Sequence, residues 1–206
     1  MKRKSIIFAL SLLVASGISV AQVLNKNKNS KKTIYKTVPE DIAQNLPQVK
    51  SETKKEMEPF RYEGSKVTYF IYKTFEQRKE VEVFFFSNNE YRVIFNSKLI
   101  DGDDPIKITI YDQPRNIAGR HVLYSETLSK DGSNKTITST ELLETLKSKL
   151  PEVDEFGNPI KVALQKVYID YVIPSKEQQI EEGQKGERVV IRTKGAIVMA
   201  MGYNNV

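Results

Sequence analysis

The sequence has no cysteine, no tryptophan and a single histidine, His121. Without thiols there can be no disulfide, zinc–thiolate site or cysteine nucleophile, and one histidine cannot make a two-histidine metal site. A Ser-His-acid triad would have to use His121, yet no Gly-x-Ser-x-Gly elbow precedes a helix. Set beside Val122 and Leu123, His121 reads as an ordinary strand residue. No glycine-rich phosphate loop occurs. Stability must come from core packing, and no cofactor is expected.

Long apolar runs are as scarce. Ile6 to Val14 is too short for a comfortable transmembrane helix, and no second run follows. Lys2, Arg3 and Lys4 precede it and Ser19-Val20-Ala21 follows, the pattern of a secretory signal over residues 1–21 cleaved before Gln22. The expected location is periplasmic or extracellular, and with no cysteine at the cleavage point lipid attachment there is excluded.

The formal net charge of +6 is unevenly placed. Three positive charges belong to the signal, and Gln22 to Pro59 carries eight Lys against five acids. From Phe60 onward the 21 basic and 21 acidic residues cancel. A body without net charge has no global field for phosphates, so a nucleic-acid partner is not expected. Residues 22–59 are rich in Lys, Asn, Ser, Thr and Gln, interrupted by Pro39, Pro47 and Pro59, and show no apolar periodicity. That composition predicts a disordered tail or linker.

What is present in quantity is strand pattern. Lys66 to Thr74, Glu80 to Phe86 and Glu90 to Asn96 are dense in β-branched and aromatic residues, the last two joined at Asn88-Asn89, a pair suited to a tight hairpin turn. Ile106, Ile108 and Ile110 alternate with Lys107, Thr109 and Tyr111, a half-buried strand. Further strands are predicted at His121 to Ser125 and Val167 to Ile173, with a closing pair, Arg188 to Arg192 and Ala196 to Tyr203, turning at Lys194-Gly195. Ser175 to Glu187 reads as an exposed loop. One helix stands out from Thr138 to Leu150: Thr138 with Glu141 forms a capping box, Leu142, Leu143, Leu146 and Leu150 share a face, and Pro151 ends it. The prediction is a mostly β protein, an antiparallel β-sandwich or jelly roll of about eight strands with one inserted helix, occupying residues 60–206. An eight-stranded outer-membrane barrel fits poorly, because Lys107 with Thr109, and Glu80 with Glu82, break any lipid-facing row.

Val167-Tyr168-Ile169-Asp170-Tyr171 and Gly195 to Tyr203 resemble the closing strands of small exported β-sandwiches of the bacterial prepeptidase C-terminal type, and Glu90 to Asn96 resembles their core strand. The region from Phe60 to Val206 also resembles uncharacterised signal-bearing proteins of the Bacteroidota. The resemblance implies a non-catalytic jelly-roll module and carries no functional residues over.

Three groups of residues are candidates for chemistry or recognition. Asp101, Asp103 and Asp104 bring hard oxygen ligands together as a calcium loop does, although the spacing is not that of an EF-hand and a plain hairpin connection is the commoner explanation. Glu80 and Glu82 share a strand face at a separation that a paired-acid glycoside hydrolase would require, but two outward acids are commonly a solvated surface, and the lack of tryptophan argues against a sugar-stacking cleft. The run Phe84-Phe85-Phe86 makes a strand apolar on both faces, so both need cover. Either the leucine face of the Thr138 helix or a second sheet covers Phe84 and Phe86, or a partner docks over Phe70, Tyr72, Phe84 and Phe86. The expected function is a non-catalytic accessory module of the cell envelope contacting another protein, with a carbohydrate-binding module for a surface polysaccharide and a paired-carboxylate hydrolase as alternatives.

Overall fold

A computed structural model describes residues 32–38, 42–100, 104–130 and 134–205. The expected signal at 1–21, and Asp101 and Asp103 of the acidic loop, lie outside the described residues. The chain falls into two compact units, one of Tyr35–Gln179 with Ile191–Val206, the other of Met1–Ile34 with Ile180–Val190.

The described residues form ten strands and two α-helices: β1 (Thr33–Val38), α1 (Ile42–Lys55), β2 (Arg61–Ile71), β3 (Gln77–Phe84), β4 (Asn89–Asn96), β5 (Ile106–Tyr111), β6 (Val122–Leu128), β7 (Lys135–Thr138), α2 (Ser139–Lys147), β8 (Lys166–Ile173), β9 (Gln179–Glu182) and β10 (Arg188–Asn205). In the larger unit the strands make two antiparallel sheets. One runs β2-β10-β4-β7 and the other β3-β8-β5-β6. Consecutive strands from β2 to β5 alternate between the sheets, and the resulting order is that of an eight-stranded jelly roll. β10 also pairs with β1 and β9.

Alternation drives this arrangement. Ile106, Ile108 and Ile110 of β5 are fully buried, as are Val167, Ile169 and Ile173 of β8. They meet Tyr91, Val93 and Phe95 of β4 and Ile197 and Met199 of β10 in one core between the sheets. Each such aliphatic chain contributes about 1.5–3 kcal/mol on removal from water. The Phe95 and Tyr171 rings bridge the sheets edge to face with centroids 6.4 Å apart. Asn88 takes the positive φ, 70°, that the Asn-Asn turn anticipates. The predicted cap is formed as well: Thr138 Oγ1 accepts from the Glu141 amide at 3.3 Å while Glu141 Oε2 accepts from the Thr138 amide at 2.7 Å. Leu142 and Leu146 of α2 enter the main core.

Three expectations need correction. The described part of residues 22–59 is not a loose tail, because it holds all of β1 and all of α1. Ile42, Leu46, Val49 and Thr53, spaced by four, three and four, give α1 one face despite Pro47, and that face packs on Val67, Leu99, Ala196 and Val198. Thr53 Oγ1 also accepts a buried hydrogen bond from Asn96 Nδ2 at 3.0 Å. The closing pair of strands is instead one 18-residue strand, β10, continuous through Gly195. Gly195 is there for space: a Cβ would stand 2.4 Å from the Phe70 ring. Finally, the acidic loop Ser175 to Glu187 contains β9, which the flat hydrophilic composition concealed.

In the smaller unit, the Lys32 carbonyl accepts from the Arg188 amide at 3.1 Å, Lys32 pairs with Glu187 at 3.4 Å, and the Gly183 amide donates to the Glu187 carbonyl at 2.8 Å.

Candidate functional site

β2 and β3 are the outer strands of their sheets, β2 bonded on the β10 side and β3 on the β8 side. Near their connection the two edges are joined by side chains: Gln77 Nε2 donates to the Ile71 carbonyl at 2.7 Å, and Lys79 Nζ donates to the Tyr69 carbonyl. At the other end they part. A cleft of about 380 Å³ opens there between Glu63 to Lys66 of β2 and Glu82, Val83, Phe84 and Phe86 of the β3 arm, with Met199 and Met201 of β10 as its floor.

Residues facing each other across an antiparallel pair share a sheet face. Lys66 stands opposite Met199, and Gly64 opposite Met201. Both methionines belong to the interior side, so Lys66 points inward, at the mouth of the sandwich. Glu63 has no counterpart on β10, whose register shifts between Met201 and Gly202. Such a bulge bends an edge strand and re-aims its side chains.

On the β3 arm, Val81, Val83 and Phe85 are buried while Phe84 and Phe86 are 50% and 66% exposed. The alternation is as read from sequence, but neither proposed internal cover is present. α2 packs on β4, β6 and β7, and the second sheet meets the opposite face of β3. The Lys166 ammonium lies over Phe84, 4.6 Å from the ring centroid. Phe86 borders both this cleft and a neighbouring one of about 260 Å³ lined by Leu143, Val162 and Leu164. Phe70 and Tyr72 separate from the pair: they lie in the core, stacked edge to face at 5.3 Å. The expected four-residue patch therefore reduces to Phe84 and Phe86, since Phe70 is on the inner face and Tyr72, just past the end of β2, is buried beneath Lys176. Met199, Met201 and Lys66 were missed because they become neighbours of Phe84 only when the sheets stack.

The two acids of β3 are engaged. Glu82 pairs with Lys166 at 2.6 Å and accepts from the Tyr168 hydroxyl at 3.1 Å, and the Lys166 bond holds its carboxyl below the usual range. A general acid for glycoside cleavage needs the opposite shift. Glu80 accepts from the Arg115 amide at 2.8 Å and lies 3.6 Å from Arg120 Nη1.

Arg115 and Arg120 belong to a second constellation that no local pattern announces. Asp170, 1% exposed on the outer face of β8, accepts from Arg115 Nη2 at 2.8 Å and from Arg120 Nη2 at 2.9 Å. Burial pushes its carboxyl up, and the two guanidinium groups overcome this and hold it below its ordinary value. Arg120 also lies 3.5 Å above the Tyr111 ring. His121 and Asp112 close the base of the same loop, with Nδ1 to Oδ2 at 2.8 Å and the His121 amide donating to Oδ1 at 2.7 Å. The ensemble fastens the β5–β6 loop over its sheet. Asp104, the described member of the acidic loop, faces Lys176 at 3.5 Å, and among the described residues no cluster of three His, Asp or Glu is placed to hold a metal. No described helix is long and apolar enough to cross a membrane.

No protein-family model matches the chain, and no curated protein matches it. Among solved structures, a chain from the structure of the infectious bursal disease virus Gx strain aligns over 68% of this chain at 11% identity and a TM-score of 0.16. This chain covers 32% of that one, about a third of its length, and a likeness so slight supports no statement about fold or role.

Proposed function

We propose that this chain is an exported, non-catalytic binding module of the cell envelope that contacts another protein through the cleft between β2 and β3. The observation that carries the reading is the pair Phe84 and Phe86, two phenyl rings left half or more exposed beside a floor of Met199 and Met201. Aromatic and methionine side chains are enriched where proteins meet, and methionine adapts its shape to a partner. Of the paired acids that a hydrolase would need, Glu82 is held by Lys166 and Glu80 by the Arg115 amide and Arg120, an arrangement poorly suited to proton transfer.

The test is affinity capture from envelope extracts with the wild-type chain and with a Phe84→Ser, Phe86→Ser double variant. A protein retained by the first and lost by the second supports the reading. Retention of polysaccharide with no protein, unaffected by the double variant, would overturn it in favour of a carbohydrate-binding module.

A further inference from the structure

Resting on that reading, we infer that the partner enters as an extended polypeptide, added as a strand to the free edge of β2 and presenting a carboxylate to Lys66.

The carbonyls of Tyr69 and Ile71 accept from Lys79 and Gln77, on the side away from β10. In an antiparallel ladder the N–H and C=O of one residue point the same way, and the direction alternates along the strand. Val67 and Ser65, two and four residues before Tyr69, therefore also turn their N–H and C=O outward. They stand opposite Val198 and Ala200 as non-bonded pairs, at the point where β2 and β3 have parted and the cleft begins. An edge of this kind is a template for another strand, and strand addition is a recurrent mode of peptide recognition.

The side chains then say which strand. Residues of an incoming strand that face the cleft alternate, so one opposite Lys66 is flanked two positions away by one opposite Gly64. A Cβ built on Gly64 meets no atom within 4 Å, which leaves room for a large apolar side chain above Met201 and beside Phe84. An aromatic residue across from a strand glycine fills such a gap. Lys66 sets the second condition. Glu82, the acid it influences, is already paired with Lys166, and Lys66 has no ion pair of its own among the described residues. An inward-pointing lysine guards an edge against indiscriminate pairing, because a wholly apolar strand would cover the ammonium without a counter-charge. A strand carrying Asp or Glu at that position supplies the counter-charge. The complementary segment is thus a large apolar residue and an acid two positions apart in an extended chain, and Lys66 is the element that rejects others.

The experiment is selection of a phage-displayed library of random linear peptides on the wild-type chain, on Lys66→Glu and on Lys66→Gln. The wild type is expected to enrich peptides with an acid two positions from an aromatic or large aliphatic residue, and Lys66→Glu to exchange that acid for Lys or Arg. Titration of a selected peptide should show about a tenfold loss on each single charge reversal and recovery when both are reversed. Amide exchange should slow at Ser65 and Val67 on binding. Peptides selected without charge preference, bound equally by all three forms, or bound without protection of Ser65 and Val67 would overturn the inference. If binding of those peptides still required Phe84 and Phe86, the broader docking site would stand. An empty selection would reject the strand-addition mode, leaving capture with the double variant to decide the broader reading on its own.

Discussion

Replacing Asp170 with Asn keeps the shape of the side chain and removes a charge that two arginines share. Each carboxylate oxygen accepts from one guanidinium, at 2.8 Å from Arg115 and 2.9 Å from Arg120. In Asp170→Asn one of those donors meets an amide nitrogen instead. Breaking a buried ion pair by removing one partner costs about 3–5 kcal/mol. The Arg115 side chain is 39% exposed, so water screens its share to about 1 kcal/mol or less. Arg120, 15% exposed and seated on Tyr111, carries most of the effect. The expected loss at pH 7 is about 2–4 kcal/mol, or roughly 10 °C in Tm for a domain of this size. Urea denaturation followed by circular dichroism measures it. The pH dependence adds a signed check. Because the folded carboxyl titrates below its ordinary value, its stabilisation is complete above about pH 5 and is lost as pH falls through the folded value. The gap between wild type and variant should therefore close on acidification. A variant within about 1 kcal/mol of wild type at pH 7, or a gap that widens in acid, would refute the account of this cluster as a stabilising clamp.

Val49→Asp should detach α1, since it places a carboxylate on Leu99, Ala196 and Val198; the expected cost is about 3 kcal/mol or more, and limited proteolysis should then cut between Ile42 and Lys55. Gly195→Ala should cost about 1–3 kcal/mol by displacing the Phe70 ring, with Phe70→Leu partly relieving it in a double-mutant cycle. Thr138→Ala removes the cap of α2 and should lower stability by about 1 kcal/mol; an unchanged denaturation midpoint would mean that α2 is held by Leu142 and Leu146 alone.

What was legible in the chain, and what was not, follows from how far apart the cooperating residues lie. The Ile106, Ile108, Ile110 alternation and the Thr138-to-Glu141 box are local signals, and both appear as read. The alternation of Phe84, Phe85 and Phe86 also held, because strand geometry alone dictates it. α1 escaped because Pro47 and a high density of polar residues mask a face whose partners are scattered, from Val67 and Leu99 to Ala196 and Val198 some 140 residues later. Lys194-Gly195 looks like a turn until the Phe70 ring is seen to need the missing side chain. Asp170 sits unremarked in a Tyr-Ile-Asp-Tyr pattern, and its partners Arg115 and Arg120 are some 50 residues upstream in a loop with no periodicity. The cleft is of the same kind: Lys66, Phe84 and Met201 share no sequence neighbourhood.

The position of β10 has a consequence for how the molecule comes into being. Residues 194 to 205, near the described C-terminal end, are bonded to β2 on one side and to β4 on the other. Until they have been synthesised, β2 and β4 have no strand to join them, and the surface that α1 covers lacks Ala196 and Val198. A nascent chain stalled before this stretch can pair β3, β8, β5 and β6 but cannot close the sandwich, and closure waits on contacts more than a hundred residues apart, the slow kind. The sandwich stays open along one side for as long as β10 is withheld.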